Sequence, residues 1–209
     1  MLEIGLLLNK LSKKRELFHN EKDFQFYFTL ELIEERYEIR LEKYVGQNNG
    51  KRKYIDLEAY DKKEDQWYLF EFKYKTKEEI ININNEKYEL FEQGARDLGC
   101  YAFLNDVSRL EEQVKKYKEE NKKIKAYAIF LTNDERYLNG FKSNCLCVNY
   151  GLKDKKVFKK GVIDFIIPDG KTKDGTCVKD LDEITLLNDY DIKWNDYSNY
   201  LKELILEIK

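Results

Sequence analysis

The stretch Arg52–Lys75, RKYIDLEAYDKKEDQWYLFEFKYK, decides the fold. In its first half Ile55, Leu57 and Ala59 alternate with Tyr54, Asp56, Glu58 and Tyr60; in its second half Phe70, Phe72 and Tyr74 fall on one side. A period of two places such sets on opposite faces of a strand, and the polar DKKEDQ between them marks a turn. Connections this short favour antiparallel pairing. With the hairpin centred between Lys63 and Glu64, cross-strand partners have numbers summing to 127, which sets Asp56 opposite Glu71 and Tyr54 opposite Lys73. Directly opposed carboxylates lie roughly 5 Å apart and repel one another. A bridging cation turns that conflict into a binding site, and hard oxygen ligands suit Mg²⁺ or Mn²⁺. This pairing of the acids requires an unbroken register; a bulge would undo it. Lys73 shares a face with Glu71, where an ammonium can orient an attacking water and offset phosphate charge. The metal would activate that water.

Working outward, YEIRLEKYV alternates from Ile39 through Leu41 and ends at the turn signal GQNNG, which completes a three-stranded meander. Before it, EKDFQFYFTLELIEERY carries Phe24, Tyr27, Phe28 and Leu32 at helical spacing, so a helix is expected over 21–36, capped by Asn20 with Asp23 in its first turn. Beyond KTKEEIININNE, helical spacing returns through Phe91, Ala95, Leu98, Ala102, Phe103, Val107, Leu110, Val114 and Tyr117, with Gly99 as a place to break. IKAYAIFLTND is a nearly continuous apolar run, the pattern of a strand covered on both faces. The order through residue 133 is α-β-β-β-α-β.

Residues 137–193 hold short β-like pieces such as GVIDFIIP and the lysine-rich KDKKVFKK. The closing WNDYSNYLKELILEIK reads as an amphipathic helix with Trp194, Tyr197, Leu201 and Leu204 inward. The expectation is an α/β domain with a mixed sheet flanked by helices: a core over 1–136, and a C-terminal elaboration over 137–209 packed on the same domain.

A chain of 209 residues that is 42% hydrophobic, rich in Tyr (16) and Phe (12), fills one core largely with rings. Charged residues make up 37% yet nearly cancel to −2, which argues against a uniformly basic nucleic-acid binder. A local basic wall or a bound cation can still do that electrostatic work. No apolar stretch approaches the roughly 18 residues that span a bilayer, so a soluble, cytoplasmic protein without membrane partners is expected. Cys100, Cys145, Cys147 and Cys177 read as reduced thiols, and the last three lack the paired spacing of a zinc site. His19 is the only histidine and sits in a charged segment, which weakens any Ser-His or Cys-His mechanism. No Gly-rich phosphate loop is present. The lysines between 115 and 125 alternate with acids as a solvated helix face does, whereas Lys153, Lys155, Lys156, Lys159 and Lys160 stand against one acid and could contact phosphates. Glu-x-Lys occurs at 71/73, 120/122 and 207/209, but only the first follows a strand that carries an acid.

With those residues in place the chain resembles the PD-(D/E)xK, or restriction-endonuclease-like, nuclease superfamily. YIDLEAY supplies the acid of its second strand and FEFKYK the Glu-x-Lys of its third, with Ile55 where the superfamily's name has proline. The match covers about residues 21–133. More loosely, DFQFYFTLELIEERYEIRLE, QGARDLGCYAFLNDVSRLE, FLTNDERY and YDIKWNDYS resemble an uncharacterised microbial branch of it, which extends the likeness to the C-terminal segment. The resemblance implies Mg²⁺- or Mn²⁺-dependent hydrolysis of a nucleic acid, DNA before RNA, often by a homodimer. It implies a metal held by Asp56, Glu71, the Phe72 carbonyl and a glutamate of the first helix: Glu31, with Glu34 and Glu35 as rivals. Lys73 would position the water, and Gln93 would assist, on a face shared with Asp97 and Tyr101 or on a merely polar stripe. Two other readings stand beside it: a nuclease-fold module that binds nucleic acid or protein with little cleavage, and an aromatic-rich domain whose hairpin charges are only surface.

Overall fold

The computed structural model describes residues 2–48, 50–167, 172–174 and 176–209, with Asn48 and Lys51 described as backbone only. In chain order the elements are α1 (Ile4–Lys14), α2 (Glu21–Glu34), β1 (Glu38–Asn48), β2 (Lys51–Asp61), β3 (Gln66–Lys75), β4 (Glu79–Ile83), β5 (Glu86–Leu90), α3 (Arg96–Glu119), β6 (Lys123–Thr132) and α4 (Arg136–Asn139). After a 3₁₀ turn come the short strands β7 (Val157–Phe158), β8 (Gly161–Ile163), β9 (Ile184–Leu186) and β10 (Tyr190–Asp191), then β11 (Trp194–Asp196) and β12 (Lys202–Ile208). The main sheet runs β1-β2-β3-β6-β12-β11. Only β3 and β6 pair in parallel within it, joined through α3, so the sheet is mixed.

The two sheet faces carry different chemistry because β3 alternates. Tyr68, Phe70, Phe72 and Tyr74 face α1 and α2, with Leu57, Ala59, Ile129 and Leu131 beside them. Phe28 meets Phe70 and Phe72 edge-on with ring centres 5.1 and 5.0 Å apart, and Phe24 meets Phe72 at 5.1 Å. Such tilted contacts suit the ring quadrupole and lock α2 against the strand. The opposite face, with Leu69, Ala126, Ala128 and Phe130, is covered by Cys100, Phe103, Leu104, Val107, Leu110 and Val114 of α3. The expected cap of α2 is present: Asn20 accepts a hydrogen bond from the Asp23 amide at 3.0 Å.

Four expectations need correction. The sequence KTKEEIININNE closes into the β4–β5 hairpin, turned by Asn84 and Asn85 at φ +49° and +67°, and α3 begins only at Arg96. Gly99 does not break α3; a Cβ there would lie 2.9 Å from the Tyr137 hydroxyl, so the glycine admits a close neighbour. The final segment is not a helix: β11 and β12 form a hairpin, Trp194 opposite Leu204, and β12 pairs with β6 along its length. Leu204, Leu206 and Ile208 face the α3 side while Ile205 packs toward the other, so a strand buried on two faces mimics helical spacing. The last residues therefore lie inside the main sheet rather than outside a finished core. Ile55 lies with the α3-side cluster, away from Leu57 and Ala59, because β2 is irregular at Asp56.

Candidate metal and phosphodiester site

The β2–β3 register follows the sum of 127 from Asp61↔Gln66 to Leu57↔Phe70, and the ladder stops there. On the other side β1 pairs Leu41 with Leu57 and Lys43 with Ile55, passing over Glu42 and Asp56. Glu42 sits at φ +49°, a conformation that is unfavourable for a residue with a side chain. Asp56 thus turns out of strict alternation, and its Oδ2 accepts the Phe72 amide at 2.9 Å in place of a strand partner. The Phe72 carbonyl shares that side of β3, since the N–H and C=O of one extended residue point the same way. The opened ladder gathers a carboxylate and a carbonyl at one point.

On the α3 face Glu71 is buried, at 2% exposure. Its Oε1 accepts Arg109 Nε at 2.9 Å and Arg109 Nη2 at 2.6 Å. The same Nη2 donates to Asp106 Oδ1 at 2.6 Å, and Asp106 Oδ2 lies 2.6 Å from Lys73 Nζ. Across the opening, Glu21 Oε2 accepts the Tyr74 amide at 2.9 Å. Glu21, Asp56, Glu71 and Asp106 thus share a field with Lys73 and Arg109, into which Lys22 reaches beside Asp56 and Glu21, and Lys75 beside Glu21.

That field shows in the protonation equilibria. Burial holds Glu71 well above the ordinary carboxylate range; the charges of Asp106 and Asp56 add to this and Arg109 opposes it. Burial likewise raises Glu21, against the pull of Lys73 and the Tyr74 amide. Burial would lower Lys73, but the surrounding acids, Asp106 foremost, more than reverse that and keep it an ammonium. A charged Lys73 can orient a water or hold a phosphate oxygen, and is not a free base in this state.

The residues expected to act are not all together. Asp56 bonds the Phe72 amide, and its charge acts on both Glu71 and Lys73. Glu31 lies apart: its carboxylate lies 2.8 Å from Lys10 Nζ and 2.5 Å from Lys14 Nζ, and it ties α2 to α1. Its rivals also face away, Glu34 bonded to Lys14 and Lys10, and Glu35 lying 3.9 Å from Lys10. The α2 acid beside Asp56 and Lys73 is Glu21, three turns earlier, where the cap signal Asn20 marks the helix end nearest β3. Gln93 precedes α3, and its backbone N–H donates to the Thr76 carbonyl. Asp97 contacts Cys145, and Tyr101 donates to the Asp182 carbonyl, so that stripe holds the C-terminal segment. The α3 residues at the site are Asp106 and Arg109, whose spacing of three places them on one helix face.

Among the described residues no group of three or more His, Cys, Asp or Glu side chains is arranged to hold a metal ion. The donor set beside β3 is two carboxylates and a backbone carbonyl, which fits a hard cation that keeps part of its water shell. Asp56 Oδ1 and Glu71 Oε2 take no hydrogen bond from the described residues, so each acid retains one uncommitted oxygen. His19, by contrast, is engaged with Glu86 at 2.8 Å and stacked on Tyr88. No described helix is long and apolar enough to cross a membrane. Compared with protein-family models, with curated proteins and with solved structures, the chain finds no match.

Proposed function

We propose that this protein is a Mg²⁺-dependent nuclease of restriction-endonuclease-like fold that hydrolyses nucleic-acid phosphodiesters at Asp56, Glu71 and Lys73. The observation that carries the reading is the β2–β3 ladder that ends before Asp56, whose carboxylate bonds the Phe72 amide and whose charge acts on Glu71 and Lys73. The element order α2-β1-β2-β3-α3-β6, with the β4–β5 hairpin inserted before α3, agrees with that fold. Asp56, Glu71 and the Phe72 carbonyl would hold the metal, which supplies Lewis acidity and a water of lowered pKa. Lys73, held by Asp106, positions the nucleophile and offsets charge on the phosphate. Glu21 replaces Glu31 as the α2 acid of the site. The oxygens of Asp56 and Glu71 that take no hydrogen bond from the described residues support a divalent cation as their partner. DNA is the first substrate to try, and a cytoplasmic setting accords with the reduced thiols.

One observation favours a second reading. Arg109 already supplies a cation to Glu71, through two hydrogen bonds to one oxygen. If that guanidinium is permanent, the protein binds nucleic acid without cutting it. Calorimetric titration with Mg²⁺ and Mn²⁺ separates the two. The nuclease reading expects binding that Asp56→Asn and Glu71→Gln each abolish; titration heats that are absent, or unchanged in both variants, leave the binding module.

A further inference from the structure

Beyond Leu57 β2 parts from β3 and keeps only β1 as a partner, so residues 43–55 form a two-stranded ribbon that begins beside Asp56. Its rungs are Lys43↔Ile55, Tyr44↔Tyr54, Gly46↔Lys53 and Gln47↔Arg52, with Val45 as the extra residue of a bulge. A bulge bends a ribbon and strengthens its twist. One side is anchored: Ile55 is buried and Val45 half-buried against the α3-side core. The other side is bare. Tyr44 and Tyr54 are 52% and 36% exposed, and Gln47 and Arg52, two rungs farther out on the same side, are exposed as well. Toward the tip, a Cβ added to Gly46 or Gly50 would meet no atom within 4 Å, so the ribbon stands in open space there.

The charges on this ribbon have one sign. Residues 43–55 hold Lys43, Lys51, Arg52 and Lys53 and no acid, in a chain whose 38 basic and 40 acidic residues nearly cancel. Lys43 is held by Glu58 at 3.4 Å, whereas Arg52 and Lys53 take no ion pair or side-chain hydrogen bond from the described residues. Free cations on a projecting ribbon that starts at a phosphodiester site fit a polyanion that fills both.

We propose that this ribbon lies in the major groove of duplex DNA, with Arg52 and Lys53 against the phosphates that flank the one at Asp56. The inference rests on the nuclease reading for that central phosphate. The major groove of DNA admits a two-stranded ribbon, and Gly46 and Gly50 keep the tip of this one thin. The deep, narrow major groove of an RNA helix does not admit side chains. A single strand would be gripped by ring faces on which its bases stack, but Tyr44 and Tyr54 meet edge-on, 5.7 Å between centres, so one ring covers a face of the other. Arg52 is four residues from Asp56, about 13 Å at about 3.3 Å per residue, or about four base-pair steps of the duplex.

The test uses the full chain carrying Lys73→Met in Mg²⁺, so that no cleavage intervenes. Binding is followed by anisotropy of a labelled DNA duplex, its single strand and an RNA duplex, across about 50–200 mM salt. Arg52→Gln and Lys53→Gln, at residues with no partner to lose, should each lower the slope of log K against log salt by about 0.9 on the DNA duplex. Lys115→Gln, at an exposed lysine of α3, should leave that slope unchanged. Unaltered slopes in both ribbon variants, or an equal fall in Lys115→Gln, overturn the proposal. A comparable fall on the single strand or the RNA duplex overturns the assignment to the DNA groove. A dimer that Tyr44→Ala dissociates in sedimentation, with the slopes intact in both ribbon variants, gives the ribbon to a second copy and equally overturns it. Cleavage by the unmodified protein with unaltered slopes loses only the ribbon; lowered slopes in a protein that never cuts keep the ribbon and lose the catalytic reading.

Discussion

Arg109→Leu is the most informative single change to the site. Arg109 is 17% exposed and Glu71 2% by side chain, and the pair is joined by contacts of 2.9 and 2.6 Å. Asp106 keeps Lys73 at 2.6 Å when the arginine is gone, so Glu71 is the acid left alone. Removing one partner of a buried pair costs about 3–5 kcal/mol, and the partial exposure of Arg109 points to the lower end. The cost depends on pH with a definite sign. Burial and the charges of Asp106 and Asp56 already hold folded Glu71 above its ordinary 4.5; without Arg109 it rises further. An acid whose folded pKa is raised takes up a proton on folding, so stability falls as pH rises from the ordinary value toward the folded one. The variant should therefore lose most, about 3 kcal/mol, at the alkaline end of the range, and progressively less as the pH falls, the loss vanishing below 4.5, where Glu71 is protonated in both states. Urea denaturation followed by Trp67 and Trp194 fluorescence reads this directly. Mg²⁺ should restore stability to the variant by RT ln(1 + [L]/Kd), about 2.7 kcal/mol at a hundredfold excess over Kd, because Glu71 is then free to bind it. A loss that is constant across pH and indifferent to Mg²⁺ would refute both the charge assignment and the metal.

Three further outcomes follow from the structure. Glu31→Gln should lower the urea midpoint, since its carboxylate joins Lys10 and Lys14, yet leave any cleavage rate within about twofold, the range of a substitution remote from the chemistry; a collapse of activity would return Glu31 to the site. Glu21→Gln should leave the fold intact, because an amide oxygen can still accept the Tyr74 amide, but weaken Mg²⁺ binding in calorimetry by removing one of the four acids; unchanged affinity would take Glu21 out of the site. Burial and the neighbouring Asp196 lift Glu203 to about 7, so folding stability declines as pH rises between 4.5 and about 7, and Glu203→Gln should flatten that decline. Equal slopes in the two proteins would show that Glu203 is solvated.

How much of this was legible beforehand depended on whether a feature was local. The hairpin register could be read to the residue because turn length and alternation fix it, and the ladder obeys it from Asp61 to Leu57. It fails at Asp56, where a side chain replaces a backbone acceptor, which alternation cannot anticipate. The helix over 21–36 and its Asn20 cap were equally local. Which of its acids meets the sheet is not, because that depends on how α2 lies on β3; it packs there from Glu21 to Phe28, whereas Glu31 faces Lys10 and Lys14 of α1. Asp106 and Arg109 were hidden for a related reason, since the site falls on the middle of α3 rather than at its start. The C-terminal strand has the spacing of a helix because burial on both faces removes the period of two that identifies a strand. The anchor of the intervening segment, Glu111 accepting the Leu187 amide, Asn188 and the Tyr190 hydroxyl, joins residues too distant in sequence to be paired by eye.

The most direct test of the central claim is cleavage itself. The full chain is incubated with labelled single- and double-stranded DNA and RNA in Mg²⁺, in Mn²⁺ and in EDTA, beside Lys73→Met. The account predicts cleavage of at least one substrate that requires the metal and falls by about 10²–10⁴-fold in the variant. Cleavage that persists in EDTA or in Lys73→Met, or no cleavage of any substrate by a protein that also fails to bind Mg²⁺ and Mn²⁺, would contradict it.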